Sequence, residues 1–320
     1  MSEHTSPLSL DGLDGTNPMG FLAGLGVLAV LDHLGYPARL SWSDSVVPRA
    51  RIAGIGSIDA IVDEVVRDKD KFADSPLLDF PPGDPASEVK FACPQDVKRF
   101  LDHCRQSEPS ASMSAALVCE GVVDNQKHAK PTDFHFTSGR QRFLDIAREL
   151  QRHVTPGHVK NAIEGPWQYK QWKYRPGQHL KSFKWDSTDD RDYALSASKP
   201  SDENKPTVPG ADWLAFRALA LFPVLPGNDR SLTPGFGGRW IDGWFTWPLW
   251  RVPLSTPATR SLIQAVPRGE AIPGRFLSAA AAWGVHRLMR SRVTPAGKGY
   301  RTFRPSQVVW SSELEFRWPT

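Results

Sequence analysis

Side chains of the kinds that bind metals or move protons are present in this chain but dispersed. Cys93, His103, Cys104 and His128 can be drawn as a zinc site. Their spacing matches none of the common zinc patterns, and buried thiols with surface imidazoles are the better account. Asp189, Asp190 and Asp192 could form a metal cluster, yet they fall in and just after "DSTDD", which reads as a solvated hairpin turn. His135 lies between phenylalanines in "FHF", the setting of a packed residue rather than a general base. Gly24-x-Gly26-x-x-Ala29, with Asp44 beyond it, imitates a dinucleotide fingerprint. That fingerprint needs its glycines in a strand-to-helix turn, whereas Met19, Phe21 and Leu22 already read as helical. Asp11, Asp14 and Asn17 lack the spacing and closing glutamate of an EF-hand. The sequence holds no Walker A loop, HExxH or GxSxG.

Two stretches carry a different chemistry. "YKQWKYRPGQHLKSFKW", Tyr169 to Trp185, sets Lys170, Lys173, Arg175, Lys181 and Lys184 among Tyr169, Trp172, Tyr174, Phe183 and Trp185, with no acidic residue. Basic side chains can track phosphates while aromatic faces stack on bases. The competing account is an exposed basic loop whose aromatics turn into the core. "HRLMRSRVTPAGKGYRTFR", His286 to Arg304, supplies Arg287, Arg290, Arg292, Lys298, Arg301 and Arg304, again without acidic company. Gly297 and Gly299 would let a backbone pass close to another chain. A helix C-terminus with arginines complementing its dipole accounts for the first three but not the last three.

The elements that must position these residues follow from periodicity. Leu8, Leu10 and Leu13 read as a short strand, Asn17 as an N-cap and Pro18 as the first helical residue. Gly20 and Gly24 lie one turn apart on a small-residue face that lets another backbone approach, and Gly35 sits where a C-terminal cap belongs. "ARLSWSD" and "PRARIAG" read as strands, giving a β-α-β-β unit around a buried Gly-rich helix. Helices are expected over 57–68, 94–107 and 135–154, the last capped by Thr137 or Ser138. Phe143, Ile146, Ala147 and Leu150 form its stripe, with Arg140, Arg142, Arg148 and Arg152 on the remaining face. "HLKSFKWD" and "DYALSAS" read as strands, "ADWLAFRALALFPV" as a helix, "FGGRWIDGWFTWPLW" as extended, 276–292 as a last helix, and "GYRTFRPSQVVW" and "LEFRW" as strand-like. "SKPSDENKPTVPG" is polar and Pro-rich, and "PSASMSAALVCEG" has no clear assignment. The class is α+β. It divides into a lobe over 1–165 and a strand-rich, Trp/Pro-rich lobe over 166–320, or forms one continuous domain.

The chain has 320 residues, a net charge of +4 and 28 prolines and 12 tryptophans, so fixed turns and extended segments are favoured over a helical bundle. The mild basic balance permits a nucleic-acid partner without requiring one. Three cysteines without CxxC spacing point to a reducing compartment. The apolar run Met19–Leu31 falls well short of the about 20 residues of a membrane span. Acidic Glu3, Asp11 and Asp14 ahead of it do not resemble a signal peptide, so a cytoplasmic protein without a membrane partner is expected.

"GTNPMGFLAGLGVLAVL" followed by "LSW", then "AKPTDFHFTSGRQRFLDIAREL", "FTWPLW" and "GKGYRTF" together resemble, in order and over most of the chain, the accessory and large-subunit-like proteins of type I-G (formerly I-U) CRISPR systems. The resemblance implies a subunit or partner of an RNA-guided DNA-surveillance complex in antiviral defence, related to its large subunit or associated with its helicase-nuclease, and the lack of catalytic motifs makes the expected role non-catalytic. Its partners would be other effector subunits and guide RNA or target DNA, with no cofactor. Such complexes delegate sequence reading to base pairing while protein contacts the backbone. The chain is much shorter than the large subunits that share the Asn-Pro-glycine helix, and the family supplies no catalytic residues to carry over. Two other classes remain open on the residues alone: a metal-dependent nuclease built from dispersed Asp and His, and a protein–protein adaptor that never touches nucleic acid.

Overall fold

The computed structural model describes residues 6–80, 84–123, 128–137, 141–170, 173–175, 178–188, 207–228, 230–239, 242–296 and 300–312. The opening unit is β1 (Leu8–Asp14), α1 (Pro18–His33), β2 (Arg39–Trp42) and β3 (Arg49–Ala53). Asn17 is extended and its side chain accepts from Met19 N at 2.9 Å, with Pro18 in the first turn. Gly35 closes α1 at φ +86°, a conformation glycine adopts without steric penalty. The strands pair antiparallel in the order β1-β3-β2. Pro18 through Leu28 are buried without interruption, as in a helix enclosed on every side.

The chain continues through α2 (Ile58–Lys71), α3 (Pro94–Cys104), α4 (Glu108–Leu117), β4 (Val118–Val123), β5 (Ala129–Pro131), α5 (Phe143–His153) and α6 (Pro156–Ile163). The unassigned "PSASMSAALVCEG" thus becomes α4 and the start of β4. Next come β6 (Lys173–Arg175), β7 (Gln178–His179), α7 (Pro209–Ala218), β8 (Leu225–Pro226), β9 (Ser231–Leu232), β10 (Phe236–Gly237) and β11 (Gly243–Trp250). The last elements are α8 (Thr256–Ala265), α9 (Gly274–Ala282), β12 (Val285–Ala296), β13 (Tyr300–Phe303) and β14 (Gln307–Ser311). The long strand β12 anchors an antiparallel sheet in the order β10-β11-β12-β13. Its other half on that edge pairs with β14. Helices and antiparallel sheets make an α+β fold. Among the described residues no helix is long and apolar enough to cross a membrane.

One apolar core runs from Leu10 to Trp310, across residue 165. Phe21 of α1 lies 5.6 Å from the Trp42 ring and 5.9 Å from the Trp247 ring, joining the two main sheets. The indole N–H groups of Trp247 and Trp250 donate to Gly15 O and Leu40 O. Each fully buried large apolar side chain contributes about 1.5–3 kcal/mol relative to an exposed one. The close backbone approach on α1 falls at Gly26, where a Cβ would stand 1.9 Å from Leu214 O of α7. Gly24 instead faces the Trp42 ring, and Gly20 the backbone of Asp14.

Three expectations need correction. The segment 276–292 is not one helix: α9 stops at Ala282, Gly284 turns at φ +85°, and Val285 begins β12. There the side chains exchange a helical stripe for cross-strand partners such as Trp247 opposite Met289. In "HLKSFKWD" β7 ends at His179, because Ser182 Oγ and Phe183 N both donate to Asp212 Oδ1 and Lys184 turns at φ +69°. Helix α5 starts only at Phe143, after an extended Arg142 that makes no side-chain cap. Its apolar stripe is as expected, but Arg148 is buried and donates to Leu78 O and Phe80 O. Ser138, Arg140, "DYALSAS" and "LEFRW" lie outside the described residues.

Candidate nucleic-acid interface

The first basic stretch is divided by the fold. Phe183 and Trp185 are fully buried and stacked on each other at 4.5 Å, and Trp185 Nε1 donates to Phe134 O. Tyr174 stacks on His153 at 4.1 Å. Lys184 is buried, which corrects its expected place on a phosphate track. Lys181 pairs with Glu149 at 3.2 Å. Lys170 and Lys173 are exposed, and Lys170 borders a hollow beside α6. Trp172 lies outside the described residues, as does the side chain of Arg175. Phe183 and Trp185 are therefore used by the core, while Tyr169 stays exposed and donates to Asp186 Oδ2 at 2.8 Å.

In the second stretch Arg287, Arg290 and Arg292 lie on a strand, not at a helix end. Arg290 is buried; its Nε donates to Thr246 Oγ1 at 2.9 Å and its Nη1 to Glu270 O at 2.8 Å. This structural role corrects its reading as a nucleic-acid contact. Arg292 is exposed, pairs with Glu270 at 3.2 Å and, with Arg290, lies over the Trp244 ring. Arg287 donates to Val46 O, and Arg304 Nε to Thr294 Oγ1. Lys298, Gly297 and Gly299 lie outside the described residues.

Arg301 is different. It is 3% exposed, yet it lines a groove of about 1140 Å³ together with Lys90, Lys130, Arg230 and Arg239. The opposing carboxylate in that lining belongs to Asp133. The residues come from four separated segments tied together by hydrogen bonds to backbone carbonyls. Ala129 N donates to Phe91 O at 2.9 Å, and Ser231 Oγ donates to Lys130 O at 2.6 Å. Arg301 Nη1 on β13 donates to Asp133 O at 3.0 Å. Gly237, Gly238 and Gly243 in the wall are close-approach positions within the protein: a Cβ at Gly237 would stand 2.1 Å from Arg268 O, and one at Gly238 2.7 Å from Asp242 O. Lys90, Arg230 and Arg239 each stand alone in their segments, and Lys130 has only Lys127 beside it, so none carries a strong local sequence signal. The nearest clue was the pairing of glycines with Arg239 in "FGGRW".

Electrostatics separates the acid–base candidates from the cations. His135 also borders the groove, but burial, and then the charge of Lys90, push its pKa down to about 3. It is neutral, stacks on Phe143, and keeps Nε2 within 2.8 Å of Glu88 O, consistent with a packed imidazole. Burial drives the Cys104 thiol up to about 12, while Cys93 donates to Asp96. Among the described residues no three His, Cys, Asp or Glu side chains converge as a metal site. Burial also raises the Asp133 carboxyl above its ordinary range, despite Arg301, Arg268 and Arg230 nearby. The groove can thus hold a polyanion, and it offers no assembled nucleophile with a base.

The chain matches no protein-family model. It likewise matches none of the curated proteins.

Proposed function

We propose that this protein is a non-catalytic, nucleic-acid-contacting subunit or accessory protein of a type I-G RNA-guided DNA-surveillance complex. The observation that carries the nucleic-acid part is the groove in which Lys90, Lys130, Arg230, Arg239 and Arg301 face one carboxylate, Asp133. Such a lining attracts sugar–phosphate backbone of any sequence. The surveillance-complex part rests on the ordered motifs from "GTNPMGFLAGLGVLAVL" to "GKGYRTF". In such an assembly the guide reads the target, while a chain of this kind holds backbone and neighbouring subunits. The setting is cytoplasmic.

The test is salt-dependent binding of guide RNA and of target duplex by the purified chain, repeated after changing Lys90, Lys130 and Arg239 to Ala together. If all three side chains contact duplex phosphates, the log–log salt slope flattens by roughly 3 units. Unchanged affinity and slope in the folded triple variant would remove the groove from the proposal. Cleavage in Mg²⁺ or Mn²⁺ that disappears with a single Asp or His substitution would replace it with the nuclease reading.

A further inference from the structure

We infer that a second pocket, between the C-terminal ends of α1 and α7 and the N-terminal ends of α4 and α8, binds a small zwitterion of the amino-acid class. Arg260 and Thr256 hold its carboxylate, and its ammonium group faces Asp32 and Glu108. The pocket shares no lining residue with the groove.

The pocket has a volume of about 140 Å³, below the roughly 300 Å³ at which drug-sized sites begin. Its less exposed lining carries donors. Thr256 is 8% exposed, and its Oγ1 is buried with no hydrogen-bond partner among the described residues. Arg260 is half-buried and donates from Nη2 to Ala220 O at 3.1 Å. Its Nε is buried with no partner among the described residues, and it makes no ion pair with any of them. Thr256 opens α8, a helix of 10 residues whose Ser255 makes no side-chain cap, so the first N–H groups lack a capping acceptor. Arg217 also lines the pocket, but its Nε and Nη2 are committed to Asp68. Arg260 is thus the cation in the lining whose charge is unmatched.

The exposed lining carries the opposite sign. Asp32 and Glu108 are both exposed, and neither forms an ion pair among the described residues. Glu108 accepts from Ser112 Oγ at 2.9 Å. His33, the remaining titratable side chain of the lining, is engaged with Asp68 through Nδ1 at 2.9 Å. A bare anion would reach Arg260 only past two carboxylates. A bare cation would leave the buried donors unmet. A molecule with a carboxylate at one end and an ammonium group at the other answers both. Its carboxylate suits the planar guanidinium and accepts from a hydroxyl and helix N-terminal N–H groups as well.

The experiment titrates the purified full chain by calorimetry with glycine and γ-aminobutyrate, a short and a long zwitterion. Acetate, methylamine and inorganic phosphate are the single-ended controls. One zwitterion should bind saturably and roughly tenfold more tightly than acetate, the effect of an added charge pair at a partly screened surface. Arg260→Ala should abolish that binding, and Asp32→Asn combined with Glu108→Gln should reduce it to the acetate level. Changing Lys90, Lys130 and Arg239 to Ala should leave it unaltered, which separates this pocket from the groove. Absence of saturable binding by either zwitterion overturns the site, as does unaltered affinity in folded Arg260→Ala. Acetate or phosphate binding as tightly as the zwitterion overturns the assignment, because Asp32 and Glu108 would then contribute nothing. Should Arg260→Ala fail to fold, unaltered affinity in the Asp32→Asn, Glu108→Gln variant, changed at two exposed positions, overturns it instead.

Discussion

Two aspartates in this protein are surrounded by basic side chains, and the fold treats them in opposite ways. Asp68 on α2 accepts from Arg217 Nε at 2.9 Å and Arg217 Nη2 at 3.0 Å, with His33 Nδ1 at 2.9 Å on the same carboxylate. Burial alone would raise its carboxyl, but Arg217 and His33 outweigh burial and hold it below its ordinary value. Asp133 has more cations near it, yet its carboxyl is raised. The difference is geometry. A guanidinium fork closed on a carboxylate compensates desolvation, whereas guanidiniums at longer range do not. The first arrangement is a clasp among helices; the second is a looser ion pair, Arg301 with Asp133 at 3.8 Å, in the wall of a groove.

The most damaging way to break the closed region is to separate its helices. Gly26 of α1 meets Leu214 of α7, one turn before Arg217. In Gly26→Leu the new Cβ would sit 1.9 Å from a backbone oxygen that cannot rotate away. Overpacking typically costs about 1–3 kcal/mol, and a backbone clash of this size exceeds that range. The expected result is loss of the cooperative melting transition, followed by circular dichroism. A variant with the parent's melting temperature would mean that α1 and α7 do not meet here.

Next in size is Asp68→Asn, which keeps the shape and leaves Arg217 buried without its counter-ion. Breaking a buried pair from one side costs about 3–5 kcal/mol, measurable as a fall in denaturant midpoint. The sign with pH follows from the lowered folded-state pKa. The pair's stabilisation is complete above the ordinary carboxylate value of about 4 and is lost as pH falls through the lower folded-state value. Asp133, raised by burial, acts in the opposite sense: its proton uptake favours the fold as pH falls through its folded-state value. Parallel acid titrations of Asp68→Asn and Asp133→Asn should therefore depart from the parent in opposite directions. Departures of the same sign would erase the distinction between clasp and groove.

The clasp and the groove differ in another respect, which is how far the sequence announced them. The opening unit was legible because its signals are local: Asn17-Pro18 starts α1, Gly35 ends it, and alternation marks β2 and β3. Asp68 and Arg217 are 149 positions apart, so no window could pair them. The groove has the same difficulty, since Lys90, Lys130, Arg230 and Arg301 converge only through β5, β9 and β13. Dense clusters drew attention for the reverse reason. Arg287, Arg290 and Arg292 are close enough to look like a patch, but Arg290, on the same strand face as Arg292, is enclosed by Thr246 and the backbone of Glu270 while Arg292 stays exposed. The helix misread over 276–292 has a local cause too: the Ala279–Ala282 run favours helix, while Gly284 and cross-strand pairing end it.

The smallest expected effect marks the exposed end of the same series. Lys181 pairs with Glu149 at 3.2 Å, but the lysine is 44% exposed, and water screens the pair. Glu149 also has a second donor that a side-chain change cannot remove: the backbone N–H of residue 181, at 2.8 Å from Oε1. In Lys181→Ala the carboxylate keeps that hydrogen bond, so stability should fall by about 0–1 kcal/mol. Nucleic-acid affinity and its salt slope should match the parent, because Lys181 does not line the groove. Denaturant unfolding and a salt titration on one preparation read both quantities. A slope flattened by about one unit would place a phosphate at Lys181. The binding surface would then extend to the stretch that the sequence marked first, and the contrast between clasp and groove would have to be drawn elsewhere.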